Sequence, residues 1–250
     1  MKIPAVRLEE VGFIYPGQNS MCIKHMNLEI EAGESFGLFG PNGAGKTTLM
    51  HLMTGLLSPQ EGSISIMGKE VKKHDKSFTR HFGFVPQDFS FYQELSPAEN
   101  LEFFGAWAGL HKSRIKQRTT ELLEVLSLAD VRNKPVAKFS GGMKRRVNLA
   151  IAVMHEPGIL FLDEPTVGVD VETRHAIINY LRQLNAAGTT LVYTSHQLNE
   201  AEELCNKIAL INRGRIIVND YLEQLLKTHQ EDGLEGLFIS LTGRDICFSE

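Results

Sequence analysis

A glycine-rich segment near the start of the chain ends in a lysine and two threonines. It matches the pattern G-x-x-x-x-G-K-[ST], and its residues are Gly40, Pro41, Asn42, Gly43, Ala44, Gly45, Lys46, Thr47 and Thr48. Glycines let the backbone curl so that successive N–H groups point at phosphate oxygens, and a following helix adds its positive N-terminus. In this pattern the lysine contacts the β- and γ-phosphates, and the next hydroxyl can bind Mg²⁺. We therefore expect Lys46 and Thr47 to bind a nucleoside triphosphate with its metal ion.

The residues on either side of this loop support that interpretation. The apolar run Phe36–Phe39 before it is typical of a buried strand. Apolar residues follow it at helical spacing, at Leu49, Leu52, Met53 and Leu56. A glycine-rich turn without a ligand would explain the glycines, but it would not explain a lysine and a threonine at the required positions.

Two adjacent carboxylates, Asp163 and Glu164, follow the apolar run Ile159–Leu162. Open α/β sheets bind ligands at the carboxyl ends of their strands. Phosphoryl transfer needs a carboxylate near Mg²⁺ and a group that orients the attacking water. Asp163 fits the first role, directly or through water, and Glu164 fits the second, as base or water-positioning residue. Without the glycine-rich loop, an ordinary strand that happens to end in acids would explain these residues equally well.

Three further features have ordinary explanations when each is taken alone. Gln87 follows the run Phe82–Val85 and could be a solvent-facing loop residue. Ser140-Gly141-Gly142 could be a serine helix cap with flexible glycines. His196 follows the run Thr190–Thr194 and could be a surface histidine.

The order of all these features along nearly the whole chain resembles the ATP-binding cassette of ABC transporters. Phe139–Met143 resembles the signature motif of that family, and Val167–Asp170 resembles its D-loop. Tyr15 resembles the aromatic residue that stacks on adenine, and His196 the switch histidine. Phenylalanine and methionine replace the commonest first and last residues of the signature, but the serine hydroxyl and glycine N–H groups remain.

The resemblance implies ATP and Mg²⁺ as ligands and a role for each motif. It assigns Lys46, Glu164 and His196 to catalysis. The groups implied around Mg²⁺ are those of Thr47, Gln87 and Asp163. The implied nucleotide contacts are Tyr15, the loop from Gly40 to Thr48, Gln87, Asp163 and the signature residues Ser140, Gly141 and Gly142, which complete the site of a second cassette.

The resemblance also implies partners. We expect a permease subunit on a separate chain and a second cassette, either a copy of this chain or a different one. We expect the protein in the cytoplasm, held at the inner face of the membrane by that permease. Glu164–Asp170 and Leu241–Arg244 resemble the branch that powers drug, polysaccharide or ion exporters. The alternative is a soluble ABC ATPase that acts in assembly, translation or DNA maintenance.

Short β-type runs alternate with helical ones, which favours an α/β fold with a mostly parallel sheet. The resemblance adds an N-terminal antiparallel β sub-lobe, so the expected fold is that of an ABC ATPase. We expect one domain over residues 1–228, with a helical subdomain of about residues 88–154 inserted in it, and a short tail over 229–250. The aromatic segment Phe89–Leu95 either lines a groove for a permease helix or packs between sub-lobes.

Composition excludes several other classes. A formal net charge of −4 argues against a nucleic-acid-binding domain, so we expect no nucleic-acid partner. The three cysteines, Cys22, Cys205 and Cys247, are far apart, which disfavours a zinc cluster or a disulfide framework. No apolar run approaches the roughly 18 residues of a membrane span, and we expect no signal peptide.

Overall fold

The computed structural model describes residues 3–72, 80–195 and 197–243. Within them, strands and helices alternate over most of the chain. The strands are β1 (Val6–Phe13), β2 (Ile23–Ile30), β3 (Ser35–Phe39), β4 (Glu61–Ile66), β5 (Lys69–Glu70), β6 (Phe82–Val85), β7 (Ile159–Asp163), β8 (Thr190–Thr194), β9 (Lys207–Asn212) and β10 (Arg215–Tyr221). The helices are α1 (Lys46–Met53), α2 (Pro97–Trp107), α3 (Lys112–Val125), α4 (Gly141–Ala152), α5 (Val171–Ala186), α6 (Leu198–Leu204), α7 (Leu222–His229) and α8 (Leu234–Thr242), with short 3₁₀ turns at Ala129–Val131 and Val136–Lys138.

A six-stranded sheet forms the centre, in the order β10-β9-β3-β8-β7-β6. Its strands are parallel except for β10, which pairs antiparallel with β9 at one edge. Every residue of β3, β7 and β8 is buried. Strands covered on both faces need continuous apolar sequence, which explains runs such as Ile159–Leu162. The predicted mostly parallel sheet is confirmed.

A second, four-stranded antiparallel sheet has the order β2-β1-β4-β5. Its apolar face packs with β3 and α1 in one cluster of buried residues that includes Val6, Ile30, Phe36, Leu49 and Ile64. This is the antiparallel sub-lobe that the family resemblance predicts. It holds α1, and therefore the glycine-rich loop, against the central sheet.

Helices α2, α3 and α4 form the predicted helical region between β6 and β7. Helix α2 begins at a capping box, in which the Ser96 side chain accepts from the Glu99 N–H, the Glu99 side chain accepts from the Ser96 N–H, and Pro97 takes the first helical position. The buried residues of these three helices belong to the same cluster as those of α5 and one face of the central sheet, and this cluster includes Leu101 and Leu122. The loop from Pro86 to Leu95 connects the sheet to this region.

Some elements lie outside the sequence-based expectations. Strand β10 and helices α7 and α8, which follow β9, are not among the expected elements, and α8 buries Leu234, Leu237 and Phe238. The runs Phe82–Val85 and Thr190–Thr194 form strands with the same boundaries, and the strand expected at Phe36–Phe39 begins one residue earlier. Among the described residues, no helix combines the length and apolar character that crossing a membrane requires.

Candidate functional site

The glycine-rich loop connects β3, at the centre of the main sheet, to α1. Gly40 lies so close to β9 that a Cβ there would be 2.1 Å from the carbonyl oxygen of Ile211, which excludes any side chain. Gly45 caps α1 with φ 109°, a left-handed conformation that glycine adopts most easily. The cap makes no side-chain hydrogen bond, and the first turn of α1 contains no acidic residue. The backbone N–H groups of this turn are therefore suited to bind an anion.

Lys46, the first residue of α1, is only 7% exposed. Its Nζ donates hydrogen bonds to the carbonyl oxygens of Gly40 at 2.8 Å and Pro41 at 3.3 Å. Burial lowers the pKa of the Lys46 ammonium, while the carboxylates of Glu164 and Asp163 oppose that shift. The loop lysine, the predicted catalytic Glu164 and the predicted Mg²⁺ ligand Asp163 therefore share one electrostatic environment, although the lysine is more than 100 positions from the carboxylates in sequence.

Tyr15 lies beside the same helix terminus. Its hydroxyl is 3.0 Å from the Oγ1 of Thr48, and its ring meets Phe13 edge to face at 4.9 Å. The Cys22 thiol also donates to Thr48 Oγ1, at 3.5 Å. Thr47 is partly buried, between Lys46 and Thr48. The structure thus brings Tyr15 together with the end of the glycine-rich loop.

Asp163 and Glu164 lie at the carboxyl end of β7, where the neighbouring strand β8 ends with Thr194. The fully buried Thr194 hydroxyl donates to Asp163 Oδ1 at 2.7 Å and accepts from the Glu164 N–H at 3.1 Å. One hydroxyl therefore orients both carboxylate residues. Sequence reasoning missed Thr194, although its position at the end of a predicted strand was a usable signal.

Glu164 adopts φ 52°, a left-handed conformation that is uncommon for a residue with a side chain. Such conformations persist only where the surroundings hold them, and they cluster at functional sites. Here the Glu164 N–H is held by both the carbonyl oxygen, at 3.2 Å, and the hydroxyl of Thr194. On the other side, Gln87 Nε2 donates to Glu164 Oε2 at 3.3 Å. The structure therefore joins Gln87 to the carboxylate pair.

Ser140 is the N-cap of α4, and its side chain accepts from the Met143 N–H at 3.3 Å. The serine-cap interpretation is thus correct for the isolated chain, and it does not conflict with a role toward a second chain. Gly142 packs against Thr173, where an added Cβ would lie 3.2 Å away. Ser140 and Gly141 are exposed, as is Gly168 beside them. The structure groups the signature residues with the D-loop segment rather than with Lys46.

His196 lies outside the described residues, so its role stays a prediction from the resemblance. Its neighbours are described: the Gln197 N–H donates to Ser195 Oγ at 2.9 Å. Sequence reasoning also missed Glu200, a buried carboxylate that accepts from Thr166 and Tyr193, both at 2.5 Å. The contacts of Glu200 link the end of β8 to the turn that follows Glu164.

No group of three or more His, Cys, Asp or Glu residues that could hold a metal ion occurs within the described residues. Mg²⁺ keeps several waters and usually binds through one or two carboxylates and the phosphates of its substrate. Asp163 offers such a carboxylate, and the hydroxyl of Thr47 is the group that can bind Mg²⁺ in a loop of this pattern.

Comparison with known proteins identifies the relatives of this arrangement. Residues 23–167, more than half of the chain, match the family described as ABC transporter. The linearmycin resistance ATP-binding protein LnrL of Bacillus subtilis (strain 168) is 41% identical over 78% of this chain and 63% of its own length. The Nod factor export ATP-binding protein I of Sinorhizobium fredii is 39% identical over 86% of this chain and 62% of its own length. The chain therefore spans less than two thirds of these two relatives.

Other comparisons extend over whole proteins. The ABC transporter ATP-binding protein NatA of Bacillus subtilis (strain 168) is 32% identical over 90% of this chain and 92% of its own length. A solved ATP-binding subunit of an ABC transporter is 27% identical and superposes with a TM-score of 0.87, covering 95% of this chain and 99% of that structure. The dimeric cassette MJ0796, in a post-hydrolysis state with ADP and Pi, is 28% identical with a TM-score of 0.80, covering 87% and 98%. The predicted fold and family are confirmed: the chain belongs to the ABC transporter family and has the fold of its ATP-binding subunits.

Proposed function

We propose that this chain hydrolyses ATP at the site described above and thereby powers an exporter. The observation that carries the proposal is the meeting of Gln87, Asp163 and Glu164 at the end of β7, within the electrostatic reach of the buried Lys46. A phosphate-binding loop alone would support binding only. A carboxylate fixed beside it supports attack by water on the bound phosphate.

Each residue of the site has one role in this proposal. The glycine-rich loop and Lys46 hold the phosphates, and Tyr15 contacts the adenine. Thr47, Asp163 and Gln87 would hold Mg²⁺, which supplies neutralisation of phosphate charge when it is bound. Glu164 orients the attacking water and accepts its proton, with its backbone held by Thr194. His196 contacts the γ-phosphate, as the family resemblance implies.

The exposed signature turn supports a second part of the proposal, that two cassettes share each ATP. Ser140 and Gly141 begin a helix whose N-terminus faces solvent beside Gly168. A helix N-terminus favours an anion, and the γ-phosphate bound by a second cassette would satisfy it. ATP then holds two cassettes together, and hydrolysis releases them.

The catalytic proposal is tested by Glu164→Gln, with ATPase rate and ATP affinity measured on the same protein. The amide keeps the size of the carboxylate and one acceptor oxygen but cannot accept a proton. We expect turnover to fall at least about 100-fold, the effect of losing a positioned base, with ATP affinity within about threefold of the unmodified chain. An unchanged hydrolysis rate would remove Glu164 from the mechanism.

The proposed membrane partner is a permease on a separate chain. We propose that it binds an aromatic face of this chain, which is formed by Phe89, Tyr92, Phe103 and Trp107. All four are exposed, and Trp107 most of all, at 66%. Phe103 and Trp107 are four residues apart on α2, so they lie on one side of that helix. Exposed apolar patches of this kind mark protein interaction sites. Phe91, between Phe89 and Tyr92, packs instead against the core, so the segment also serves to join the sub-lobes.

Export is favoured by the names of relatives, since one is a Nod factor export protein and another a linearmycin resistance protein. In this proposal the chain lies in the cytoplasm, at the inner face of the membrane. Residues 1–228 form the cassette, with the helical subdomain of about residues 88–154, and residues 229–250 form a tail. We expect no nucleic-acid partner.

Affinity purification of the tagged chain from detergent-solubilised membranes of its source organism tests the partner. We expect a multi-span membrane protein in near-equal amount, and its loss when Phe103 and Trp107 are both changed to alanine. Ile217→Ala is the matched control, because Ile217 is an exposed apolar residue on β10, away from this face. Ribosomal, DNA-associated or assembly-factor partners in place of a membrane protein would favour the alternative, a soluble ABC ATPase.

A further inference from the structure

Arg145 joins three segments of the site from a position in the second turn of α4. Its side chain is buried, with 7% exposure. Nη1 donates to the carbonyl oxygens of Gln87 at 2.5 Å and Pro86 at 3.4 Å. Nε donates to the carbonyl oxygen of Val167 at 3.4 Å. One guanidinium therefore connects the signature helix, the loop that carries Gln87 and the D-loop segment.

A second residue of α4 holds the same loop. Asn148 is three residues after Arg145 and is 3% exposed. Its Nδ2 donates to the Pro86 carbonyl oxygen at 3.3 Å, and its Oδ1 accepts from the Ser90 N–H at 3.4 Å. The loop is therefore attached to α4 at several points, and a displacement of the helix would displace the loop with it.

The surroundings of the guanidinium connect it to the chemistry and to the aromatic face. Its Cζ lies 4.9 Å from the ring centroid of Phe89, the first residue of that face. Burial lowers the pKa of Arg145, and the negative charges of Glu164, Asp88 and Asp163 oppose that shift. The guanidinium thus contacts a residue proposed to contact the permease and lies within the electrostatic reach of the predicted base, Glu164.

We propose that Arg145 is a positioning residue that couples α4 to Gln87. Through its hydrogen bonds, a movement of the Ser140 end of α4 changes the position of the Gln87 loop. When a second ATP-bound cassette closes on Ser140, the helix and the Gln87 loop move as one unit, so the contact of Gln87 with Glu164, present in the single chain, depends on the position of α4. A lysine would hold these segments less well, because its donors all lie on one nitrogen, whereas Arg145 donates to Val167 from Nε and to the Gln87 loop from Nη1. This inference rests on the role proposed above for Gln87.

The test compares Arg145→Met with Arg146→Met in steady-state ATP hydrolysis. Arg146 is adjacent on α4, but its Nη1 donates to the carbonyl oxygens of Leu126 and Ser127, in the helical region. Both changes remove one charge and one arginine from the same helix, so the second reports any general effect on folding. Thermal unfolding of both variants is measured in parallel.

We expect Arg145→Met to lower kcat about 10- to 100-fold, since small misplacements of catalytic groups have effects of this size. KM for ATP should stay within about threefold, because the glycine-rich loop does not depend on Arg145. Arg145→Lys should restore only part of kcat, and Arg146→Met should keep kcat within about threefold of the unmodified chain. Equal kcat in Arg145→Met and Arg146→Met would overturn the inference.

Hydrogen exchange separates this inference from the proposed function. The amides of residues 87–91 should exchange faster in Arg145→Met than in Arg146→Met, and unchanged exchange would contradict the inference even if no ATPase activity were found. Absence of ATPase activity in the unmodified chain would instead contradict the proposed function. If the unmodified chain hydrolyses ATP, and Glu164→Gln abolishes this activity but Arg145→Met does not, the proposed function is supported and the role of Arg145 is contradicted.

Discussion

Two helices of this chain, α1 and α4, both begin at glycine-containing turns, but their N-termini differ in burial and in capping. Helix α1 is capped by Gly45 without a side-chain hydrogen bond, and its first residue, Lys46, is buried. Helix α4 is capped by the side chain of the exposed Ser140. Neither first turn contains an acidic residue. Each terminus is therefore suited to an anion, but only that of α1 lies among other site residues of its own chain.

The difference between the two N-termini shows which parts of an ATP site a single chain brings together. The terminus of α1 lies near Asp163 and Glu164, so a phosphate bound there meets the groups proposed for hydrolysis. The terminus of α4 faces solvent beside Gly168. Under the proposal, the first binds ATP from the same chain and the second completes the site of another cassette. Changes at the two termini should consequently have different effects.

The largest effect is expected at the α1 terminus, from Lys46→Met. Loss of a charge-assisted hydrogen bond of about 1.5–3 kcal/mol should lower ATP affinity about 10- to 100-fold and hydrolysis at least as much. ATP affinity by calorimetry is the measurement, with Arg146→Met as the control for loss of a partly buried cation. Affinity within threefold of the unmodified chain would contradict the role of Lys46.

The same substitution should stabilise the protein in the absence of ATP. Because burial lowers the pKa of Lys46, the folded protein binds fewer protons than the unfolded chain only between the lowered pKa and the ordinary lysine value of 10.5. At a pH below both values, the lysine is charged in both states and the full cost of burying the charge is present. Lys46→Met removes that cost. At pH 7 the Tm should rise by about 2–4 °C, which corresponds to roughly 1 kcal/mol in a domain of this size. The gain should shrink as the pH rises toward 10.5, and a gain independent of pH would contradict this cause.

At the α4 terminus we expect an intermediate effect from Ser140→Asp, compared with Ser140→Asn. Aspartate and asparagine cap helices about as well as serine, so both variants should fold normally. Only aspartate adds a negative charge, which at a few ångströms from a phosphate costs about 1–4 kcal/mol near a protein surface. Hydrolysis should fall about 10-fold or more with aspartate and remain within threefold with asparagine. ATP affinity of the monomer should be unchanged in both, and a loss of affinity would place Ser140 in the site of its own chain.

The smallest effect concerns cysteine labelling. The Cys22 Sγ is 3.5 Å from Thr48 Oγ1, beside the α1 terminus, whereas burial raises the pKa of the Cys205 thiol to about 12. An alkylating reagent at pH 8 should therefore modify Cys22 but not Cys205 in the folded protein, as measured by peptide mass spectrometry. ATP should slow modification of Cys22 severalfold at any protein concentration.

In a Ser140→Cys variant, ATP should protect the cysteine at position 140 from alkylation only at protein concentrations that allow two chains to associate.

The site residues that sequence predicts best are those encoded in one continuous segment. The nine residues from Gly40 to Thr48 carry the loop geometry, the lysine and the hydroxyls together, so no knowledge of the tertiary fold is required. The carboxylates Asp163 and Glu164 are also recognisable, because they end an apolar strand. The fully buried strands β3, β7 and β8 are predictable because each contains a short run of mostly apolar residues.

Residues that act through tertiary contacts could not be predicted in this way. Thr194 is paired with Asp163 by the parallel register of β7 and β8, across 31 positions of sequence. Arg145 contacts Gln87 because α4 packs beside the end of β6, and a basic residue on an amphipathic helix is ordinarily exposed. By contrast, Leu234, Leu237, Phe238 and Leu241 follow a helical spacing, so helix α8 was within reach of sequence reasoning.

The central claim, that the α4 terminus of one chain completes the ATP site of another, is tested most directly by mixing two inactive variants. Glu164→Gln is defective only in the site that its own glycine-rich loop forms, and Ser140→Asp only in the site of its partner. A mixed dimer therefore contains one intact site, and an equal mixture should recover roughly a quarter of the unmodified ATPase rate, because half of the randomly formed dimers are mixed and each has one of two sites. A rate no higher than the average of the two variants measured separately would contradict the claim.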